Sequence, residues 1–149
     1  MAASLTIECE GVAVTAPLLY RIAAVLFILF AAGHTLGFLT FKPATTEGTA
    51  VFQSMNDVQF HAGGRSYTYG GFYRGFGLYV TVYLLFSAFL SWQLGQMAVQ
   101  YPQAAGAIGW AFCAVHVAGL ALGCLYFFPI AAAFSGILAI CLGLAAWLT

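Results

Sequence analysis

Two histidines, His34 and His116, lie deep inside long apolar runs of this 149-residue chain, while a third, His61, stands in a polar connection. Ionisable side chains in such surroundings are rare, and a functional site is the first hypothesis for them. An imidazole nitrogen can ligate haem iron. By the same lone-pair chemistry it can ligate the magnesium of chlorophyll, and its N–H can bond a quinone carbonyl. The plainer alternative is a hydrogen bond from a neutral ring to a backbone carbonyl, or to Thr35, Thr81 or Ser91, on a neighbouring helix. Both readings stay open. His34 and His116 are therefore the candidate cofactor-binding residues, with chlorophyll, haem or quinone as candidate ligands. His61 reads as a solvated or interfacial side chain. One histidine per apolar run provides no bis-histidine pair of the di-haem cytochrome kind.

Other chemistry is sparse. None of the apolar runs contains Asp or Glu, which argues against a transporter built on carboxylate proton relays. No inverted repeat or pair of broken helices is visible either. Cys9, Cys113, Cys124 and Cys141 form no Cys-x-x-Cys pair and no Cys/His ligand set, so they read as small packing residues, and no metal site is expected. No catalytic constellation emerges, and a non-enzymatic role is the better expectation. The formal net charge is zero and no basic patch points to nucleic acid.

Four apolar stretches must position these residues, at about 18–41, 70–99, 104–126 and 128–149. A bilayer crossing takes about 20 predominantly apolar residues, so each qualifies. Only 5% of the residues are charged, against roughly 25% in a soluble domain, so the surface itself is apolar. In lipid the backbone must satisfy its own hydrogen bonds, and helices do so within one segment. The expectation is an all-α integral membrane four-helix bundle over 18–149, with an N-terminal arm at 1–17 and a long connection at 42–69. No basic region followed by a short apolar core opens the chain. No cleavable signal peptide is expected, and the arm reads as a strap or a disordered segment.

Four crossings return the chain to its starting side. Trp92, Trp110 and Trp147 then share that side with Tyr20 and Tyr101, while Tyr67, Tyr69, Tyr73 and Tyr126 gather at the other. Two aromatic belts at headgroup level are the expected result. Lys42, Arg65 and Arg74 mark the second side, against Arg21 on the first, and the positive-inside rule places the second side in the cytoplasm.

Helix faces come next. Small residues form stripes at helical spacing: Ala132, Gly136, Ala139, Gly143 and Ala146 in the fourth span, Ala105, Gly109, Gly119 and Gly123 in the third, and Gly33-x-x-x-Gly37 in the first. Between helices in lipid it is close backbone approach that stabilises, so these positions are expected to pack helices. Gly136→Leu should then disrupt the bundle more than Leu138→Ala. His116 sits on the third stripe and is expected between helices, held by a hydroxyl, a carbonyl or a ligand metal. His34 shares its face with Phe27, Phe30, Phe38 and Phe41. At ~1.5 Å rise per residue, the two histidines differ in depth by only ~5 Å.

The second span is two-faced. Phe72, Phe76, Tyr79, Tyr83, Phe86 and Leu90 form an outward stripe, toward lipid, another membrane subunit or a flat ring cofactor, and Gly77, Thr81, Leu84, Ala88 and Ser91 form the inward one. In the connection, Thr45, Thr46 and Glu47 are expected to open a short helix running through Met55. The segment 60–77 is rich in glycine and aromatic rings, which suits tight turns folded onto the helix ends.

Two stretches carry a family resemblance: Gly33-His34-Thr35-Leu36-Gly37, and Ser66-Tyr67 followed by Phe72-Tyr73-Arg74-Gly75-Phe76-Gly77-Leu78. With the four-span layout, they resemble an uncharacterised family of small four-span bacterial integral membrane proteins. More distantly the chain is similar to the DoxX-like four-helix proteins, some of which are linked to quinone-coupled oxidation. That family often has an acidic residue shortly before its Phe-Tyr pair, where this chain has Gly70-Gly71, so a role for a carboxylate there is not expected. The resemblance implies a multi-pass protein of the bacterial inner membrane. Two functions are weighed. The missing catalytic groups and the aromatic stripe suit a non-catalytic accessory subunit of a respiratory or photosynthetic complex, touching membrane lipid, other membrane-protein subunits and possible pigment. The DoxX-like resemblance implies instead a redox-linked protein binding quinone or haem within its bundle.

Overall fold

A computed structural model of the chain describes residues 7–9 and 12–149. Strands β1 (Ile7–Cys9) and β2 (Val12–Val14) lead into helix α1 (Ala16–Thr40). Helix α2 (Thr46–Asp57), strands β3 (Gln59–Ala62) and β4 (Arg65–Thr68) and helices α3 (Tyr69–Gln100), α4 (Pro102–Tyr126) and α5 (Pro129–Trp147) follow. The fold is all-α in character. α1, α3, α4 and α5 are each long and apolar enough to cross a membrane, at 25, 32, 25 and 19 residues, as a multi-pass membrane protein requires. Inside the arm expected as a strap or disordered, β1 and β2 pair antiparallel.

Local sequence explains the element ends. Thr45 caps α2, its hydroxyl accepting from the Gly48 N–H at 3.0 Å, with Glu47 in the first turn where a negative charge suits the helix dipole. Pro102 and Pro129 open α4 and α5 at the position where a missing N–H costs nothing. Gly63 and Gly64, at φ +57° and +76°, turn β3 into β4. Two successive residues in that left-handed region make the tight hairpin connection that glycine favours.

The chain divides into two compact units, one of 1–30 with 85–149 and one of 31–84. The first is a four-helix bundle made from the opening turns of α1, the closing turns of α3, and all of α4 and α5. Tyr20, Phe27, Leu94, Leu138 and Leu142 are its fully buried large side chains. Small residues set its close approaches. A Cβ on Gly123 would stand 2.9 Å from the Ala132 backbone, and one on Gly109 would collide with the Tyr20 hydroxyl. One on Gly143 would meet the Cys113 sulfur at 3.2 Å, and one on Gly119 the Ser135 hydroxyl at 3.4 Å. The Cys113 and Cys141 thiols donate to the carbonyls of Ala139 and Leu19, both at 3.2 Å, so these cysteines are packing residues with a polar edge. Tyr20, expected in the interfacial belt, is buried instead, and its hydroxyl donates to the Ala105 carbonyl at 3.0 Å. The absence of a Cβ at Gly109 makes the space for that ring.

Two expectations for the small residues need correction. Gly136 has only the Leu120 methyls beside it, at 3.6 and 3.7 Å from an added Cβ, whereas Leu138 is fully buried. The sensitive position of that pair is therefore Leu138. Gly33 and Gly37 are exposed with no atom within 4 Å of an added Cβ, so they pack no helix of the described residues.

The second unit joins the closing turns of α1, the helix α2, the β3–β4 hairpin and the opening turns of α3. Thr35 and Thr81 tie α1 to α3 with hydroxyls 2.8 Å apart. Phe60 anchors the hairpin through rings of Tyr67, Tyr69 and Phe72, at centroid distances of 5.8, 5.0 and 5.8 Å.

Candidate functional site

His116 enters from the middle of α4, one turn after Phe112. It is 4% exposed, as its place on the small-residue stripe implies. Its imidazole is flanked by Phe27 of α1, 4.9 Å away centroid to centroid, and by Phe112 at 5.2 Å; both rings are inclined to it by about 60°. Phe27 and Phe112 stack on each other at 5.3 Å. Two phenyl rings thus flank the imidazole. The Nε2 atom of His116 is buried and has no hydrogen-bond partner among the described residues. The bond to a neighbouring helix expected for this ring is thus not made at Nε2, because phenyl neighbours provide neither a hydroxyl nor a carbonyl. A buried polar atom without a partner costs about 1–3 kcal/mol.

Ser91, also in the first unit, repeats the pattern. It is completely buried on the inward face of α3, and its hydroxyl oxygen has no partner among the described residues. Ser91, named as a possible partner for a buried histidine, thus bonds neither His34 nor His116 among the described residues.

His34, in the second unit, is placed differently. Its Nε2 lies 2.9 Å from the Gly77 carbonyl of α3. The carbonyl accepts, so Nε2 carries the proton and Nδ1 holds the free lone pair, a tautomer assigned from the bonding. Gly77 explains the reach. A Cβ there would collide with the Phe38 ring, so only glycine lets α1 lie against α3 closely enough. Phe38 in turn stacks on His34 at 5.8 Å and touches Tyr73 at 5.3 Å. The residue after His34, Thr35, donates its hydroxyl to the Ala31 carbonyl of the same helix at 2.7 Å. It can then accept from Thr81, which completes a polar seam between the helices.

The two candidate ligands therefore differ in the atom they offer. Nε2 of His34 is occupied by the backbone. Nε2 of His116 is unspent, and the donor set around it is one imidazole nitrogen walled by phenyl rings. That set suits a single partner atom at Nε2. A tetrapyrrole bound there would need the Phe27 and Phe112 rings to give way. No cluster of three or more His, Cys, Asp or Glu that could hold a metal is found among the described residues.

The outward stripe of α3 is exposed from Phe72 to Phe86. Phe72, Phe76, Tyr79 and Tyr83 in the second unit and Phe86 in the first all lie open, Tyr79 by 71%. Phe72 meets Phe76 edge-on at 4.8 Å, so the stripe is a continuous aromatic surface there. Sequence reasoning did not single out Phe112 or the β3–β4 hairpin. The i, i+4 spacing of Phe112 and His116, and the Gly63-Gly64 pair between two short polar–apolar runs, were the available signals. The chain matches no protein-family model, no curated protein and no solved structure.

Proposed function

We propose that this chain is a non-catalytic accessory subunit of a larger membrane complex, of the respiratory or photosynthetic kind, in a bacterial inner membrane. The observation that carries the reading is the exposed aromatic face of α3, with Tyr79 at its centre. Tyr and Phe offer large, rigid contact area at low entropic cost, and such residues are enriched where subunits meet. The spans hold no carboxylate, and His34 is engaged in holding two helices together. A scaffold role uses every one of these features. Gentle solubilisation and a native gel test it: the chain should migrate with other membrane subunits in fixed ratio, and Tyr79→Ala with Phe76→Ala should release it. Migration of the native chain on its own would overturn the reading.

One observation favours a second reading, a DoxX-like redox-linked protein. The unspent Nε2 of His116 is an atom that a quinone carbonyl could accept from, or that a haem iron or chlorophyll magnesium could take as an axial ligand. A visible absorption spectrum of the purified chain separates the two. Soret or chlorophyll bands that vanish in His116→Phe support the second reading, and a featureless spectrum with no quinone in an organic extract removes it.

A further inference from the structure

Beside the hairpin of the second unit, the first turns of α3 carry an open groove of about 440 Å³, lined by Tyr67, Gly71, Phe72, Gly75, Phe76 and Tyr79. Gly71 and Gly75 fall one turn apart, so the groove floor is bare backbone between aromatic walls. Its lining is apolar along two turns of helix. The polar end is set by the hairpin. Cross-strand pairs Phe60–Tyr67 and Ala62–Arg65 lie on one face, because side chains alternate along a strand and paired residues point the same way. That face is the one whose Phe60 ring packs on Phe72. Arg65 therefore stands two residues beyond Tyr67, about 7 Å along the strand, on the side of the hairpin that meets the groove. It is exposed, and no ion pair or hydrogen bond engages its guanidinium among the described residues. Arg74, exposed between Gly71 and Gly75, adds a second positive charge on the same turns.

An apolar trough with an exposed guanidinium two residues along the adjoining strand has the polarity of an amphiphile with a negative head. We infer that the groove is a binding site for one anionic phospholipid, with an acyl chain laid over Gly71 and Gly75 and its phosphate at Arg65. The charge complementarity selects the headgroup, since a planar guanidinium can bond two phosphate oxygens at once. The lining selects the chain and excludes free phosphate. The groove shares Phe72, Phe76 and Tyr79 with the face that carries the subunit reading, but its lining lies within one chain, so a test on the isolated chain reads the lipid alone and the native gel reads the partner alone.

The test is native mass spectrometry of the purified chain, released from detergent after incubation with dioleoyl phosphatidylglycerol or dioleoyl phosphatidylcholine. The native chain should retain one phosphatidylglycerol about fivefold more tightly than phosphatidylcholine, the discrimination expected of one basic side chain at a lipid surface. Arg65→Gln should remove most of the preference, leaving what Arg74 adds, and leave chain binding in place. Gly75→Leu should weaken both lipids, since it fills the floor. It should also fold, because nothing lies within 4 Å of an added Cβ there and leucine is the better helix former. Equal retention of the two lipids by the native chain overturns the site, as does undiminished retention by Gly75→Leu. A dimer that Gly75→Leu dissolves, with no lipid retained, assigns the groove to a second copy and overturns the lipid site as well.

Discussion

The two histidines buried in apolar helices have opposite surroundings. His34, in the unit of 31–84, is half-buried and bonds the Gly77 carbonyl at 2.9 Å, within a seam that also holds Thr35 and Thr81. His116, in the unit of 1–30 and 85–149, is almost fully buried between Phe27 and Phe112 and leaves Nε2 unpaired among the described residues. The more accessible ring is the structural one, and the more enclosed ring keeps its chemistry unspent. Packing explains the inversion. Where a glycine lets side chains of the neighbouring helix lie directly on its backbone, as at Gly77, a ring can find a carbonyl. Where phenyl rings fill the gap between helices, no polar partner remains. Depth in the helix and residue type are shared by the two sites, so neither decides which histidine is available.

The comparison can be broken hardest in the bundle that encloses His116. Leu138→Ala should cost about 3 kcal/mol, from lost contacts and the cavity left in a core that can relax only partly. Gly136→Leu should cost about 1 kcal/mol or less, because the flexible Leu120 side chain can yield. Unfolding in detergent measures both, and a larger loss for Gly136→Leu would restore the small-residue reading of α5.

Gly123→Leu tests the same tight packing against the open face of α1. A side chain there meets the Ala132 backbone, which cannot rotate aside, so a loss of about 2–3 kcal/mol is expected from overpacking. Gly33→Leu should stay within about 0.5 kcal/mol, as surface changes do. The same unfolding assay reads both, and a substantial loss at Gly33 in the isolated chain would show that its face of α1 is packed after all.

The smallest effects are the most diagnostic. His34→Phe removes one interhelical hydrogen bond and should cost about 1 kcal/mol. His116→Phe puts a somewhat larger ring in the same place and deletes an unpartnered polar atom, so the protein free of ligand should lose little and gain up to about 1 kcal/mol. Parallel melts of the two variants are the check. A clear destabilisation by His116→Phe would mean that Nε2 has a bound partner, and would move the weight of the argument to the redox-linked reading.

How much of this was legible follows from what each feature depends on. Composition and run length alone determined four membrane-length helices, because the penalty for an unsatisfied backbone in lipid leaves helices as the form a lone segment can take. The α2 cap at Thr45, the two-faced character of α3 and the burial of His116 also followed from residue types at fixed local spacing. Those signals act within one or two helical turns. What the tertiary structure decided is which groups meet. Phe27 rather than a hydroxyl faces His116, the Tyr20 ring fills the space above Gly109, and Gly33 and Gly37 have no close neighbour among the described residues. The Phe60 face of the hairpin brings Arg65 to the groove of α3. Stripes of small residues look alike in sequence whether a neighbour is present or not. A hydrogen bond between helices depends on their register and rotation, and those are settled by the packing of all side chains together, which no single helix records.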